Sequence, residues 1–395
     1  MPRKPVRYRA EVTKIRVTLA AAVALATFGA PSSAGAASAK SADRALDRSL
    51  KRLVAMPGGP PGAIAVVQRG RRVKIHPVGV SDLATRDGIT SADHMRLASV
   101  SKAFSGASAL SLVAQGVLSL DDTIGQRLPA LPQAWAAVTL AQLLHHTSGL
   151  PDFLSAPAAQ EAIAASLTKA LPPDQLLGFV ANRGLEFEPG SRYRYSNSDN
   201  IAVGLMVEAA ARTSYERALQ TEVFGPLRLH ETSLPADTRL PNPYVHGYDT
   251  PSVGTPEDLT DMLDPGWAWA SGGMVSTPSD LNRFIRGYVG GRLFRGPARR
   301  AQLRFVGGGR SDPPGPGTNA AGLAVFRYRT RCGTVFGHTG NYPGYTQFAA
   351  ASGTGDRSAT VSVNIQLRPD LDATVFAALR RAEVLAVCAA LATAG

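Results

Sequence analysis

Strand patterns occur at both ends of this sequence, and a mainly helical stretch, residues 101–271, separates them. "GAIAVVQRGRRVKIHPVGV", residues 62–80, reads as two strands turning at Gly70. Near the other end, "AGLAVFRYRT", "TVFGHTG", "YTQFAAA" and "RSATVSVNIQL" form a second run, with "SGTGD" as a turn. A lone hairpin is marginal in water, so the two runs are expected to share one antiparallel sheet. Helices are expected on its faces. Ser41–Met56 carries Leu46, Leu50, Leu53 and Val54 at helical spacing, and "DLDATVFAALRRAEVLAVCAALA" closes the chain as a long helix. The expected fold is therefore α/β in the α+β sense. Segments 41–100 and 272–395 build the sheet, 101–271 is a mainly helical inserted domain, and the cleft lies at their interface. "FVGGGRSDPPGPGTN" reads as a surface loop, and no internal repeat is present.

The first residues stand apart from that plan. Six Lys/Arg and one Glu precede the apolar run "VTLAAAVALATFGA", Val17–Ala30, and small residues follow. Basic, apolar, then small is the order of a secretory leader over residues 1–36, with cleavage expected near Ala36 or Ala39. An uncleaved anchor is the alternative, although 14 residues fall short of the roughly 20 that a membrane span needs. Removing 1–36 lowers the formal charge from +12 to +7 and leaves no dense basic run. Nucleic acid is therefore not an expected partner; association with anionic polymers or surfaces outside the cell is. The two cysteines, Cys332 and Cys388, are expected to join in an exported chain, closing a loop of about 57 residues worth about 4 kcal/mol. Two buried thiols are the other reading. No His/Asp/Glu cluster has metal-ligand spacing, and one of the pair His145-His146 is read as structuring the Ser148-Gly149 turn.

Chemistry enters at "RLASVSKAFSG", Arg96–Gly106. Ser99 and Lys102 are three apart and share a helical face. A serine at a helix start either caps it or gains support there for a developing oxyanion. A lysine beside it, with its pKa lowered by burial, takes the serine proton. The spacing alone is cheap: Ser166–Lys169 repeats it in what reads as an exposed helix. Two later signals add weight. "RYRYSNSDN" places Tyr195 and Asn197 two apart, pointing the same way from extended chain. A phenol relays protons, and a carboxamide both donates and accepts. "FGHTGNYPGY" sets His338, Thr339 and Gly340 on a strand, with glycine allowing close backbone approach.

Ser-x-x-Lys, Tyr-x-Asn and His-Thr-Gly, in that order, resemble the three active-site motifs of the serine β-lactamase and penicillin-binding D,D-peptidase family. "LLHHTSGLPDF", "PGSRYRYSNSDNIAVG", "WAWASGGMVSTPSDLNRF" and "CGTVFGHTGNYPGY" extend the likeness to its class C and D-alanyl-D-alanine carboxypeptidase branch. The resemblance implies an acyl-enzyme serine hydrolase needing no cofactor. Its substrate would be a cell-wall peptide, with β-lactams as inhibitors or substrates and no stable protein partner. Ser99 would be the nucleophile, Lys102 its base and Tyr195 the proton shuttle. Asn197, His338, Thr339 and Gly340 would bind substrate, and the N–H groups of Ser99 and Asn341 would form the oxyanion hole. Class C β-lactamases carry Lys where His338 stands, which favours the carboxypeptidase; a β-lactamase, an esterase or amidase, and a non-catalytic wall-binding protein are the alternatives. Asn341 replaces the family's usual hydroxyl residue. Trp267 is expected in the core or at the cleft wall, and Arg327, or Arg329, at a substrate carboxylate. The Cys332–Cys388 pair is similar to that branch's disulfide.

Overall fold

The computed structural model describes residues 38–250 and 254–393. The expected leader, with the cut at Ala36, lies outside the described residues. Ala37–Gly395 forms one compact unit. Its seven-stranded sheet takes β1 (Gly62–Arg69) and β2 (Arg72–Gly79) from one end of the sequence. The other end supplies β3 (Thr318–Ala321), β4 (Phe326–Thr330), β5 (Gly333–Tyr342), β6 (Tyr345–Ala351) and β7 (Arg357–Val363). The order is β2-β1-β7-β6-β5-β4-β3, antiparallel throughout. The two ends meet at β1–β7, where Ala63 pairs with Val363 and Arg69 with Arg357.

Strands covered on both faces need apolar residues in unbroken runs, which is how β1 reads. Ala63, Ala65 and Val67 belong to the core under two helices, while Ile64 faces a different cluster. Those helices are α1 (Ala39–Val54) and α5 (Ala373–Leu391). Leu46, Leu50 and Leu53 of α1 and Leu379, Ala382 and Val387 of α5 are buried with them, each large side chain contributing about 1.5–3 kcal/mol. Ser38 caps α1 by accepting from Ser41 N–H, so a cut after Ala39 would remove the cap. On the other face lies α4 (Pro278–Val289), against β7, β6 and β1.

The middle of the chain is held by α2 (Ser101–Ala114), buried on nearly every side. A helix of small and apolar residues on every face sits in a core, and its small residues let neighbours approach closely. A methyl group at Gly106 would stand 2.1 Å from the Ala324 Cβ. Phe104 of α2 stacks on Phe284 of α4, tying the helical region to the sheet. Along α2 packs α3 (Asn197–Ala211), whose first residue is a site candidate. Cys332, just before β5, is bonded to Cys388 in α5.

Candidate active site

Ser99 does not cap α2. The chain turns at Ala98, with φ +51°, runs through a short 3-10 turn, Ala98–Val100, and only then enters α2. A left-handed alanine costs about 1–2 kcal/mol, and here it turns Ser99 into a cleft of about 440 Å³. Gly340 on β5 permits the packing behind it. A Cβ there would stand 2.3 Å from Leu97 O, 3.0 Å from Ala98 Cβ and 3.1 Å from Ser99 N.

Lys102, in the first turn of α2, is 0 % exposed. Its Nζ donates to Ser99 Oγ at 3.1 Å, Asn197 Oδ1 at 2.7 Å and Ser271 O at 2.8 Å, and lies 4.9 Å from the centre of the Tyr195 ring. Burial brings its pKa down to about 7, against the upward pull of Asp152, Asp312 and Asp199. An amine near neutrality, touching a hydroxyl, accepts that hydroxyl's proton once it is neutral. Burial pushes the Tyr195 phenol well above its ordinary value, with Ser99 opposing. The phenol stays protonated, and its oxygen makes no complete hydrogen bond among the described residues.

Asn197 is clamped from behind. Its backbone N–H and Nδ2 both donate to Asp152 Oδ2, at 3.2 and 2.9 Å, which fixes Oδ1 on Lys102. A second buried group lies beneath: His146 Nδ1 is 2.7 Å from Asp199 Oδ2, and Ser148 Oγ donates to the same carboxyl. Burial pushes the Asp199 carboxyl up and the His146 imidazole down to about 3. The His146 ring packs against Tyr195, 4.5 Å between centres.

On β5, register sets the roles. The Pro343-Gly344 turn makes Tyr342↔Tyr345 and Gly340↔Gln347 the hydrogen-bonded pairs, so Asn341 turns its N–H away from β6. That edge is open, because β4 pairs with β5 only as far as Gly337. The Asn341 side chain is tied to Leu367 O and Thr346 Oγ1, leaving its backbone to face the cleft. His338 is 0 % exposed and held at a pKa of about 3 by burial; its Nδ1 meets Thr339 O and its ring packs on Phe326. A neutral imidazole offers no charge to a carboxylate. Thr339 Oγ1 donates to Pro313 O at 2.6 Å. Trp267 lines the cleft and donates Nε1–H to Ser166 O at 2.9 Å.

The structure thus brings together Ser99, Lys102, Tyr195, Asn197, Asn341 and Trp267, with Gly340, His338 and Thr339 behind them. Arg327 is a correction. It pairs with Phe336, short of the third motif, and its guanidinium lies 4.9 Å from the Phe305 ring centre, away from the cleft lining. Among the described residues the cation on the lining is Arg368, with Asp312 and Asp370 as the acids. Sequence reading missed Arg368, Asp312, Asp152 and the Ser271 carbonyl. Only Asp152 carried a signal, at the end of "HTSGLPD". The decoy Ser166–Lys169 is a turn beyond a helix ending at Ala165, with Ser166 Oγ donating to Lys169 O.

A β-lactamase family model matches residues 46–383. Penicillin-binding protein 4* of Bacillus subtilis (strain 168) is 24 % identical over 299 residues, 72 % of this chain and 64 % of its own. A β-lactamase of Escherichia coli (strain K12) is 28 % identical over 60 % of this chain and 59 % of its own, so the chain spans less than two thirds of each relative. Among solved structures, a D-stereospecific amidohydrolase from Streptomyces sp. has a TM-score of 0.72 at 27 % identity, covering 82 % of this chain and 94 % of that one. The D-amino acid amidase from Ochrobactrum anthropi SV3 has a TM-score of 0.74 at 23 % identity over 86 % and 97 %, a likeness of fold. With its motif residues gathered around one serine and most of its length matched, the chain belongs to the β-lactamase family of serine hydrolases.

Proposed function

We propose that the chain is an exported serine hydrolase that cleaves amide bonds of D-amino-acid residues, acting as a D-alanyl-D-alanine carboxypeptidase on cell-wall peptides. The observation that carries the reading is Lys102: buried, near-neutral, and in contact with both Ser99 Oγ and Asn197 Oδ1. Ser99 Oγ bonds to the substrate carbonyl carbon while its proton passes to Lys102 Nζ. The carbonyl oxygen, now an anion, is met by the N–H groups of Ser99 and Asn341. The C–N bond then breaks, and the leaving amine takes a proton through the Tyr195 hydroxyl. Water attacks the Ser99 ester and restores the enzyme. β-Lactams would enter at the first step.

A second reading, an amidase for D-amino-acid amides, gains from the neutral, buried His338 and from Arg327 lying off the cleft. An amide leaving group brings no carboxylate, so it needs no cation there; a carboxypeptidase would rely on Arg368. It also agrees with what the Streptomyces neighbour is called.

The test is intact mass over time with benzylpenicillin, beside D-Ala release from a diacyl-Lys-D-Ala-D-Ala peptide and ammonia release from D-alaninamide. A long-lived adduct absent in Ser99→Ala, with D-Ala release, is expected. Ammonia release alone moves the assignment to the amidase, and rapid penicillin turnover to a β-lactamase. If wild type forms no adduct and releases neither product, the mechanism is wrong.

A further inference from the structure

Away from Ser99, a groove of about 860 Å³ runs between α1 and α5. It shares no residue with the catalytic cleft. Its floor is apolar: Ala45, Met56, Ala377, Ala378 and Leu385. Arg48 and Arg52 rise on the α1 side and Arg381 on the α5 side, and no carboxylate lines it.

The groove borders a cationic stripe. Lys40, Arg44, Arg48, Lys51 and Arg52 are exposed on α1, and at 100° per residue they fall within an arc of about 120°. The opposite arc is Ala42, Leu46, Leu50 and Leu53, buried on the sheet. Of the two acids of α1, Asp43 is buried and Asp47 is 38 % exposed at the edge of the stripe. Asp43 holds Arg69 at 2.9 Å and Lys74 at 3.1 Å, and Asp47 holds His76 at 2.6 Å. None of the five cations, nor Arg381, pairs with a carboxylate among the described residues. Just before α5, Leu371 is 60 % exposed, the most exposed large apolar side chain described. It lines, with Asp249 and Asp372, a neighbouring groove that shares Ala373 and Thr374 with the first.

We propose that this face docks on anionic phospholipid: acyl chain or interfacial hydrocarbon against the apolar floor and Leu371, phosphate on the arginines. A soluble polyanion would use the arginines and leave the floor and Leu371 unused. A neutral apolar ligand would use the floor and leave a cationic rim uncompensated. An anionic amphiphile satisfies both. The inference is independent of the chemistry proposed at Ser99. It would hold the hydrolase at a membrane surface while leaving the cleft's own residues free.

The compact unit, residues 37–395, is sedimented with vesicles of phosphatidylcholine alone and of phosphatidylcholine with phosphatidylglycerol. Binding is expected only with phosphatidylglycerol, weakening as salt rises. Each cation near such a surface is worth about fivefold, so Arg48→Glu/Arg52→Glu/Arg381→Glu lowers partitioning more than about a hundredfold. Ala377→Asp, which charges the floor, lowers it as well. Both variants keep wild-type circular dichroism and turnover, and Ser99→Ala binds vesicles as wild type does. Equal binding to phosphatidylcholine alone, or undiminished binding by the triple variant, overturns the proposal. So does binding of soluble poly(glycerol phosphate) as tight as that of vesicles and indifferent to Ala377→Asp.

Discussion

Asp152→Asn gives the sharpest test of the base role proposed for Lys102. The carboxylate lies behind Asn197, whose Nδ2 donates to it at 2.9 Å while Oδ1 accepts from Lys102 at 2.7 Å. Across that amide the charges are about 7 Å apart, and at an effective dielectric of about 20 they attract by about 2 kcal/mol, between one and two pH units. Asp152 is the foremost of the carboxylates that pull the Lys102 pKa upward. The isosteric asparagine removes the charge and still accepts from the Asn197 N–H. Acylation needs the neutral amine, so wild-type kcat/KM should rise about tenfold per unit up to about pH 7 and then level off. In Asp152→Asn the rising limb should move toward acid by at least about one unit. Lys102→Arg, which cannot deprotonate, should lose the limb and about 10³-fold in rate. Stability carries the opposite face of the same proton. Folded Lys102 releases it near 7, against 10.5 when exposed, so between those values the unfolded chain binds more protons. Wild-type stability should therefore rise with pH across that window, by up to about 5 kcal/mol, and Lys102→Met should flatten the rise. The kinetic readout is pre-steady-state acylation by a chromogenic β-lactam from pH 5 to 9. A limb in Asp152→Asn at or above the wild-type position would refute the coupling.

Gly340→Ala should leave circular dichroism unchanged but cut acylation by about a hundredfold, since the new methyl meets Leu97 O at 2.3 Å and displaces β5 from the Ser99 turn. Glu383 is buried in α5, its carboxyl raised to about 7 by burial against the pull of Arg380. The folded state therefore binds the extra proton between pH 4.5 and 7, and the stability present below 4.5 is lost as pH rises through that window. Glu383→Gln should remove the loss, about 3 kcal/mol in urea titrations at pH 8. Replacing Cys332 and Cys388 by serine opens a separation of 56 residues and should cost about 4 kcal/mol, read as a lower urea midpoint that reductant no longer shifts.

What the sequence made legible was local or ordered along the chain. The β1–β2 hairpin could be read because Gly70 sits between two apolar runs, and α1 because its leucines recur at helical spacing. Three motifs in order outweighed the decoy at Ser166, which no spacing rule separates from Ser99. What could not be read depends on register or on distant partners. The path of Arg327 follows from pairing with Phe336 and from where β4 stops, and neither is written in "FRYRT". The grip of Asp152 on Asn197 spans 45 positions with no period linking them. His338 carried a chemical identity but not its burial, and burial is what removes its charge. Ser99 looked like a cap because a left-handed alanine, Ala98, has no signature in composition.

The seam between β1 and β7 has a kinetic meaning. Gly62 N–H donates to Asn364 Oδ1 across 302 positions, and the whole of β1 is paired at comparable separation. While the polypeptide is being made, β1 and β2 can form only an isolated hairpin with one apolar edge bare. Closure of so long a loop must precede any reward from the contacts it brings, so folding is governed by a late, non-local search. The first strand to be synthesised is among the last to be satisfied. A nascent chain lacking β7 therefore holds sticky, unpaired backbone rather than a smaller working version of the enzyme.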